Sequence, residues 1–378
     1  MIVESLSSAL ETIEKRPYDE YLVETQLIAG SDFDFLPDRE ANQIRFVRGK
    51  SDFGHGDTDW ARRSFDQIEP KSDAWFKVRY AMAVQELKEG RPDQTVTSFE
   101  EVSGGAPKGS EIRNRALQSW ARMLYEQKKY KEALEIYDRI DKSVLLWDDI
   151  FLEKAWNAFQ LGMYERALGH LHALHAPIFA RAFQPERYLL LGMILRQLCR
   201  YEDVRGAIAA FRDKYGAAIT HIQKGLPLEK FPMIAQAART RKVLKNRGDF
   251  LESLKTERAR LTKDAPRRWK SNGLFDHLSS LYDLKLHEIE TSIQSYQTKA
   301  LEEVAAELLY YSEQMNLMEY EVRMDEFRRS RFYEAKASET TPSAGGLTAK
   351  VIHWQYKGEF WIDELNRFAV KVESQCNQ

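Results

Sequence analysis

NRALQSWARMLYEQKKYKEALEIYDRI, from Asn114 to Ile140, and DDIFLEKAWNAFQLGMYERALGHLHAL, from Asp148 to Leu174, are two copies of one pattern. In each, two amphipathic helical stretches flank a short turn, Gln127-Lys128-Lys129 in the first and Leu161-Gly162-Met163 in the second. Tyr130-x-x-Ala133 and Tyr164-x-x-Ala167 coincide when one copy is shifted by 34 residues. Ala133 and Ala167 fall where the second helix crosses the first, and a small side chain there lets the two backbones approach. One such pair leaves an apolar face uncovered, so the core is completed by stacking pair on pair.

A 34-residue period with this Tyr/Ala register resembles the tetratricopeptide-repeat (TPR) family. The register continues outward. Leu191-Gly192…Tyr201-x-x-Val204 lies 37 residues on, implying a small insertion near Pro177. Gly90…Thr95…Phe99 lies 38 residues before Ala133, and Gly56…Ala61…Phe65 another 34 earlier. About five repeats are expected. Lys245-Asn246-Arg247-Gly248-Asp249-Phe250 imitates the turn once more, as a sixth, degenerate unit or as part of a long hairpin.

Composition agrees with a helical chain. Of 378 residues, 43% are hydrophobic and 30% charged, with only 19 Gly and 11 Pro, which disfavours a turn-rich β protein. With 56 basic against 58 acidic residues the net charge is -2, so no global field draws in nucleic acid or an anionic membrane. No apolar run is long enough to span a bilayer. Met1 to Pro17 lacks a charged n-region followed by an apolar h-region. The chain is therefore either cytoplasmic or separated from its leader. Cys199 and Cys376 are too few and too far apart to suggest a disulfide framework or a zinc site.

Past Phe231 the pattern changes. Met233, Ala237, Val243, Leu244, Leu251 and Leu254 predict an extended helix to about Leu261, broken at Pro266. A second helix starts near Ser271-Asn272 and, past Gly273, runs without Pro or Gly to about Ala337, roughly 60 residues or ~90 Å. Its stripe Leu286, Ile289, Ile293, Tyr296, Ala300, Val304, Leu308, Tyr311, Met315, Met318, Val322 steps by about 3.6 residues, the straight-helix period. That predicts a helix packed on the preceding one, its seam shared with the array; a homodimeric coiled coil is the competing arrangement. Ser338 to Thr348 (SETTPSAGGLT) reads as a flexible linker. The aromatic segment after it should dock in cis or in trans, with Trp361, Leu365, Phe368 and Val372 on one face of a short helix. The predicted organisation is all-α: an N-terminal cap over 1–41, a TPR-like α-solenoid over 42–220, a long helical hairpin over 221–337, a linker over 338–349 and an aromatic docking segment over 350–378.

Trp354-x-x-x-Gly358-Glu359-Phe360-Trp361-x-Asp363-Glu364-Leu365 resembles the C-terminal signature of envelope-associated bacterial TPR proteins, some linked to gliding-motility machinery. The resemblance implies an envelope or periplasmic location and a docking role for Trp354, Gly358, Trp361, Asp363 and Glu364.

Local signals for chemistry are weak. Gly49-Lys50-Ser51 ends like a phosphate loop, but Ile44 stands where the first glycine belongs. Asp32, Asp34 and Asp38 lack the glycine of a calcium loop, since position 37 is Pro37, and Asp57-x-Asp59 reads as a turn. Among His170, His172 and His175 the first two point about 200° apart, so solvated histidines are expected. Arg328-Arg329-Ser330-Arg331 follows Glu319, Glu321, Asp325 and Glu326 on one helix, which neutralise it. No catalytic set, metal site or cofactor site is read, and the chain is expected not to be an enzyme.

The TPR resemblance implies instead a concave groove for a protein partner, lined by the first helix of each repeat. Counting from the Ala register, the inward residues are Tyr80, Val84 and Leu87, then Gln118, Arg122 and Tyr125, then Leu152, Trp156 and Phe159, then Leu189, Met193 and Arg196. The lining is aromatic and apolar with two arginines, the usual anchors of protein interfaces. The Lys/Asn clamp by which some TPR domains hold a C-terminal carboxylate is not reproduced. An extended or helical apolar peptide is the expected partner, with Trp156 and Phe159 as core filling the alternative.

Overall fold

The structure is a computed structural model that describes residues 2–15, 23, 35–141, 148–333, 358–360 and 365–376. Among these there is no strand. The helices are α1 Ile2–Lys15, α2 Asp38–His55, α3 Thr58–Asp66, α4 Asp73–Lys88, α5 Pro92–Gly105, α6 Glu111–Glu126, α7 Tyr130–Asp138, α8 Asp148–Gln160, α9 Tyr164–Ala173, α10 Glu186–Gln197, α11 Tyr201–Gln223, α12 Pro232–Thr240, α13 Lys242–Asp264, α14 Arg267–Ser271 and α15 Leu274–Tyr333. The fold is thus all-α: TPR-like helix pairs followed by a long C-terminal helix.

The five pairs, α2/α3 to α10/α11, share one turn. Gly56, Gly90, Lys128, Gly162 and Cys199 all have positive φ, between 54° and 90°. Each stands five residues before a register residue: Ala61, Thr95, Ala133, Ala167 or Val204. All five register residues are buried. The turn closes the same way each time: in the fourth pair Gly162 N–H donates to Phe159 O at 2.9 Å and Met163 N–H to Ala158 O at 2.9 Å. In the fifth, Cys199 N–H donates to Arg196 O and Arg200 N–H to Leu195 O, both at 2.9 Å. These bonds satisfy the last carbonyls of the first helix in a Schellman motif. Thr95 is polar at a crossing, and its hydroxyl donates to Arg91 O at 2.9 Å. The weaker sequence matches are therefore genuine repeats of the same geometry.

The chain divides into two compact units. The first comprises Met1–Trp120 with Pro232–Glu303. In it, α1 buries Leu10 against Leu36, Ala41 and Ile44, and Phe65, Ile68, Ala74 and Val78 form the core around Ala61. Gly49 is a packing residue, since a Cβ there would overlap the Phe65 ring. Asp57 and Asp59 sit at the start of α3, while Asp32 and Asp34 lie outside the described residues. The extended helix expected from Met233 to Leu261 is two helices, broken at Arg241. Thr240 Oγ1 turns back to Ala237 O at 2.7 Å as the first of them ends. In the first unit α15 pairs with α13, through Arg258–Asp283 at 3.0 Å and Tyr282–Glu257 at 3.1 Å. Asn272 Oδ1 accepts from Leu274 N–H at 3.2 Å, placing the α15 start where the sequence put it.

The second unit comprises Ala121–Phe231 with Val304–Gln378. Here α15 runs parallel to α10: Tyr311 bonds Glu186, Met318 lies over Gly192, and Asp325 meets Arg196. It runs antiparallel to α11, with Arg205–Glu326 at 2.7 Å and Arg212–Glu319 at 2.6 Å. It thus lies on α10/α11 as the first helix of a further pair would. A Cβ at Gly192 would overlap the Met318 sulfur, which explains that glycine. In this unit the expected stripe from Val304 to Val322 is buried, Tyr311 partly so; in the first unit Tyr296 is exposed beneath the Arg247 guanidinium at 4.5 Å.

Candidate partner-binding site

Successive first helices of the second unit are tied together by the residues read as inward-facing. Arg122 on α6 bonds Glu153 on α8, whose other oxygen accepts from Tyr137 at 2.9 Å. Trp156 Nε1 donates to Glu186 on α10 at 2.9 Å, and Glu186 also accepts from Tyr311 on α15. Arg196 on α10 bonds Asp325 at 2.7 Å and also Glu321. Each helix therefore hands a polar contact to the next, and the aromatic rings stand between these contacts. Trp156 and Phe159 meet edge to face at 5.9 Å, and Tyr125 meets Tyr130 the same way at 5.2 Å.

Tyr125, Trp156, Phe159, Met193 and Arg196 are half-buried and Arg122 is exposed. One side of each apolar ring packs on the core while the other faces out; Leu152, Trp156 and Phe159 border the cluster of Phe151, Leu168 and Leu171. In the first unit Tyr80 is also half-buried, its hydroxyl 3.0 Å from Ser119 Oγ.

The charges are set by neighbours. Burial raises the Glu186 carboxyl above its ordinary value, against the hydrogen bonds from Trp156 and Tyr311. Burial works against the charge on Arg122, yet Glu153 more than offsets it and its pKa is raised. The Asp325 hydrogen bond raises that of Arg196. The face thus keeps two paired cations, with a carboxylate beside the Trp156 indole.

The described part of the aromatic tail docks in cis, on the second-helix side. Phe360 stacks on His172 at 5.3 Å, and Phe368 meets the same ring edge to face at 5.6 Å. Leu365 is fully buried in the α8/α9 core. Val370 N–H donates to Glu165 O at 3.0 Å and Gln375 N–H to Leu198 O at 2.8 Å. Among the described residues the expected short helix is the turn Leu365–Arg367, and the residues after it extend to make these backbone bonds. Leu365, Phe368 and Val372 reach one cluster all the same. Gly358 is described; Trp354, Trp361, Asp363, Glu364 and the linker 338–349 lie outside the described residues.

Two expectations are corrected here. Cys199 and Cys376 form a disulfide, with Cα atoms 4.9 Å apart across 177 residues of sequence. The tail brings Cys376 onto the α10/α11 turn, a proximity their separation in sequence conceals. His170 is buried, not solvated, with no hydrogen-bond partner for either ring nitrogen among the described residues. Burial, with Lys154 and Arg166 nearby, lowers its pKa to about 3. Lys154 is buried as well, its ammonium held by Asp138 at 2.9 Å and by Asn366 of the tail. His172 and His175 lie 6.0 Å apart, half-buried and exposed. Among the described residues no three or more His, Cys, Asp or Glu side chains converge as a metal site would need, and no helix is long and apolar enough to cross a membrane.

The chain matches no protein-family model and no curated protein. It is similar to a solved structure described as the functional characterization of Pseudomonas aeruginosa pilF, at 17% identity, over 63% of this chain and 98% of that chain, with a TM-score of 0.37. At that score the likeness says nothing of function, and the fold stands on the repeated helix pairs themselves.

Proposed function

We propose that the protein is a non-enzymatic interaction scaffold that binds a protein partner on the face lined by its first helices. One observation carries the reading: Tyr125, Trp156, Phe159, Arg122 and Arg196 form a half-exposed face, held in place by hydrogen bonds passed from helix to helix. Rigid aromatics and arginines are the residue types that dominate interface energy. The test is affinity capture with Trp156→Ala and Arg122→Glu. Either substitution should weaken a specific partner by tenfold or more; unchanged capture of every partner would remove the reading.

The partner complex is proposed to belong to a bacterial cell envelope. The tail signature supports this, and so does the disulfide, since disulfides persist in oxidising compartments and are rare in reducing ones. Fractionation of the cells that make the protein checks it: recovery in the cytoplasm with Cys199 and Cys376 reduced contradicts it.

A second reading, self-association through α15, is favoured by Tyr310, Leu317 and Tyr320, which stand exposed on that helix. A monomer mass by light scattering at high concentration rules it out.

A further inference from the structure

Within the second unit α15 carries two stripes. One, Val304, Leu308, Tyr311, Met315, Met318 and Val322, faces α10 and α11. The other lies on the opposite side of the helix: Ala306, Tyr310, Glu313, Leu317, Tyr320, Met324 and Phe327. It alternates steps of four and three residues, the heptad spacing of a coiled-coil seam. Tyr310, Leu317 and Tyr320 are 52%, 50% and 61% exposed. In a continuing array this side of a first helix would be covered by its own second helix.

We infer that this stripe is the seam of an antiparallel, two-fold dimer in which α15 of a second copy covers α15 of the first. The inference rests on the self-association reading and adds the face, the orientation and the register. The seam is self-complementary about a midpoint between Met318 and Glu319. Around that point Leu317 falls opposite Tyr320 of a second copy, and Tyr310 opposite Phe327. A two-fold interface requires this kind of symmetry, and a partner of unrelated sequence does not.

Charge selects the orientation. Glu313 lies in the first half of the seam, and Arg323 flanks its second half. Antiparallel copies place Glu313 of each chain beside Met324 and Arg323 of the other, twice over. Parallel copies set Glu313 against Glu313. Arg323 is free to serve: its side chain is 74% exposed, and its bond to Glu319 one turn earlier is a surface pair of small worth. Because α15 is already ordered by α10 and α11, association need not meet the cost of forming the helix.

Sedimentation equilibrium of the full chain tests it. The expected result is a dimer of the 44.1 kDa chain, whose dissociation constant rises at least about tenfold in Leu317→Glu with helical circular dichroism unchanged. Glu313→Arg and Arg323→Glu should each weaken the dimer, and the double variant should recover. Ten residues separate the two positions on one helix, about 15 Å, so recovery reports a contact between chains. A monomer at every concentration overturns self-association itself. A dimer indifferent to Leu317→Glu, or a double variant no stronger than its weaker parent, overturns this seam and leaves self-association through another face.

Discussion

Gly169 shows how much rests on single atoms. A Cβ there would overlap the Phe368 carbonyl, so the tail can cross α9 only over a glycine. Gly169→Ala should displace the tail, lower stability by about 1–3 kcal/mol and open residues 358–376 to limited proteolysis; an unchanged cleavage pattern would contradict the docking. His170, beside it, makes stability depend on pH. The unfolded chain takes up this proton below about pH 6.5, the folded chain only near pH 3. The unfolded state thus holds more protons in that window, and stability falls as pH drops through it, by at most about 1.4 kcal/mol per pH unit. Urea unfolding at pH 7, 6 and 5 should show a shallower decline for His170→Leu than for the natural chain. Sequence could not reveal this environment. Helical spacing separates His170 from His172, but its burial against the Phe151 ring, near Lys154, depends on how the preceding helix packs.

At the scale of the element, the repeated turn is the best determinant of the fold. Its left-handed residue is glycine in three repeats and lysine or cysteine in two. An L-residue in that conformation costs about 1–2 kcal/mol. Lys128→Gly should therefore raise stability, by about 0.5–1 kcal/mol after the entropy a glycine loses. Gly162→Ala should lower it by a similar amount; equal melting temperatures for both variants and the natural chain would contradict the shared turn. This level was legible beforehand, because crossings and turns are set by residues within about forty positions. Even the divergent repeats kept a small or β-branched residue at the crossing. The break at Arg241 was not legible: neither Pro nor Gly marks it, and the apolar spacing runs straight through.

For the whole chain, long-range closure is what local pattern leaves out. The Cys199–Cys376 bond ties the last residues to the fifth repeat. Cross-links of long loops typically stabilise by about 2–4 kcal/mol. Cys199→Ser, or reductant with the natural chain, should lower the melting temperature of the unit that holds it and free the tail; identical melting with and without reductant would contradict a formed bond. Arg122, Trp156 and Arg196, singled out by counting from Ala133 and Ala167, each bond a side chain on the next helix of the stack. What those bridges present is the claim on which the functional reading depends. It is tested most directly by inserting a photo-crosslinking amino acid at Tyr125, Trp156 or Met193, and at Lys131 or Glu202 on the second helices, in the cells that make the protein. The account predicts one and the same protein joined at the three first-helix positions and absent from the other two. Adducts formed only at Lys131 or Glu202 would contradict it.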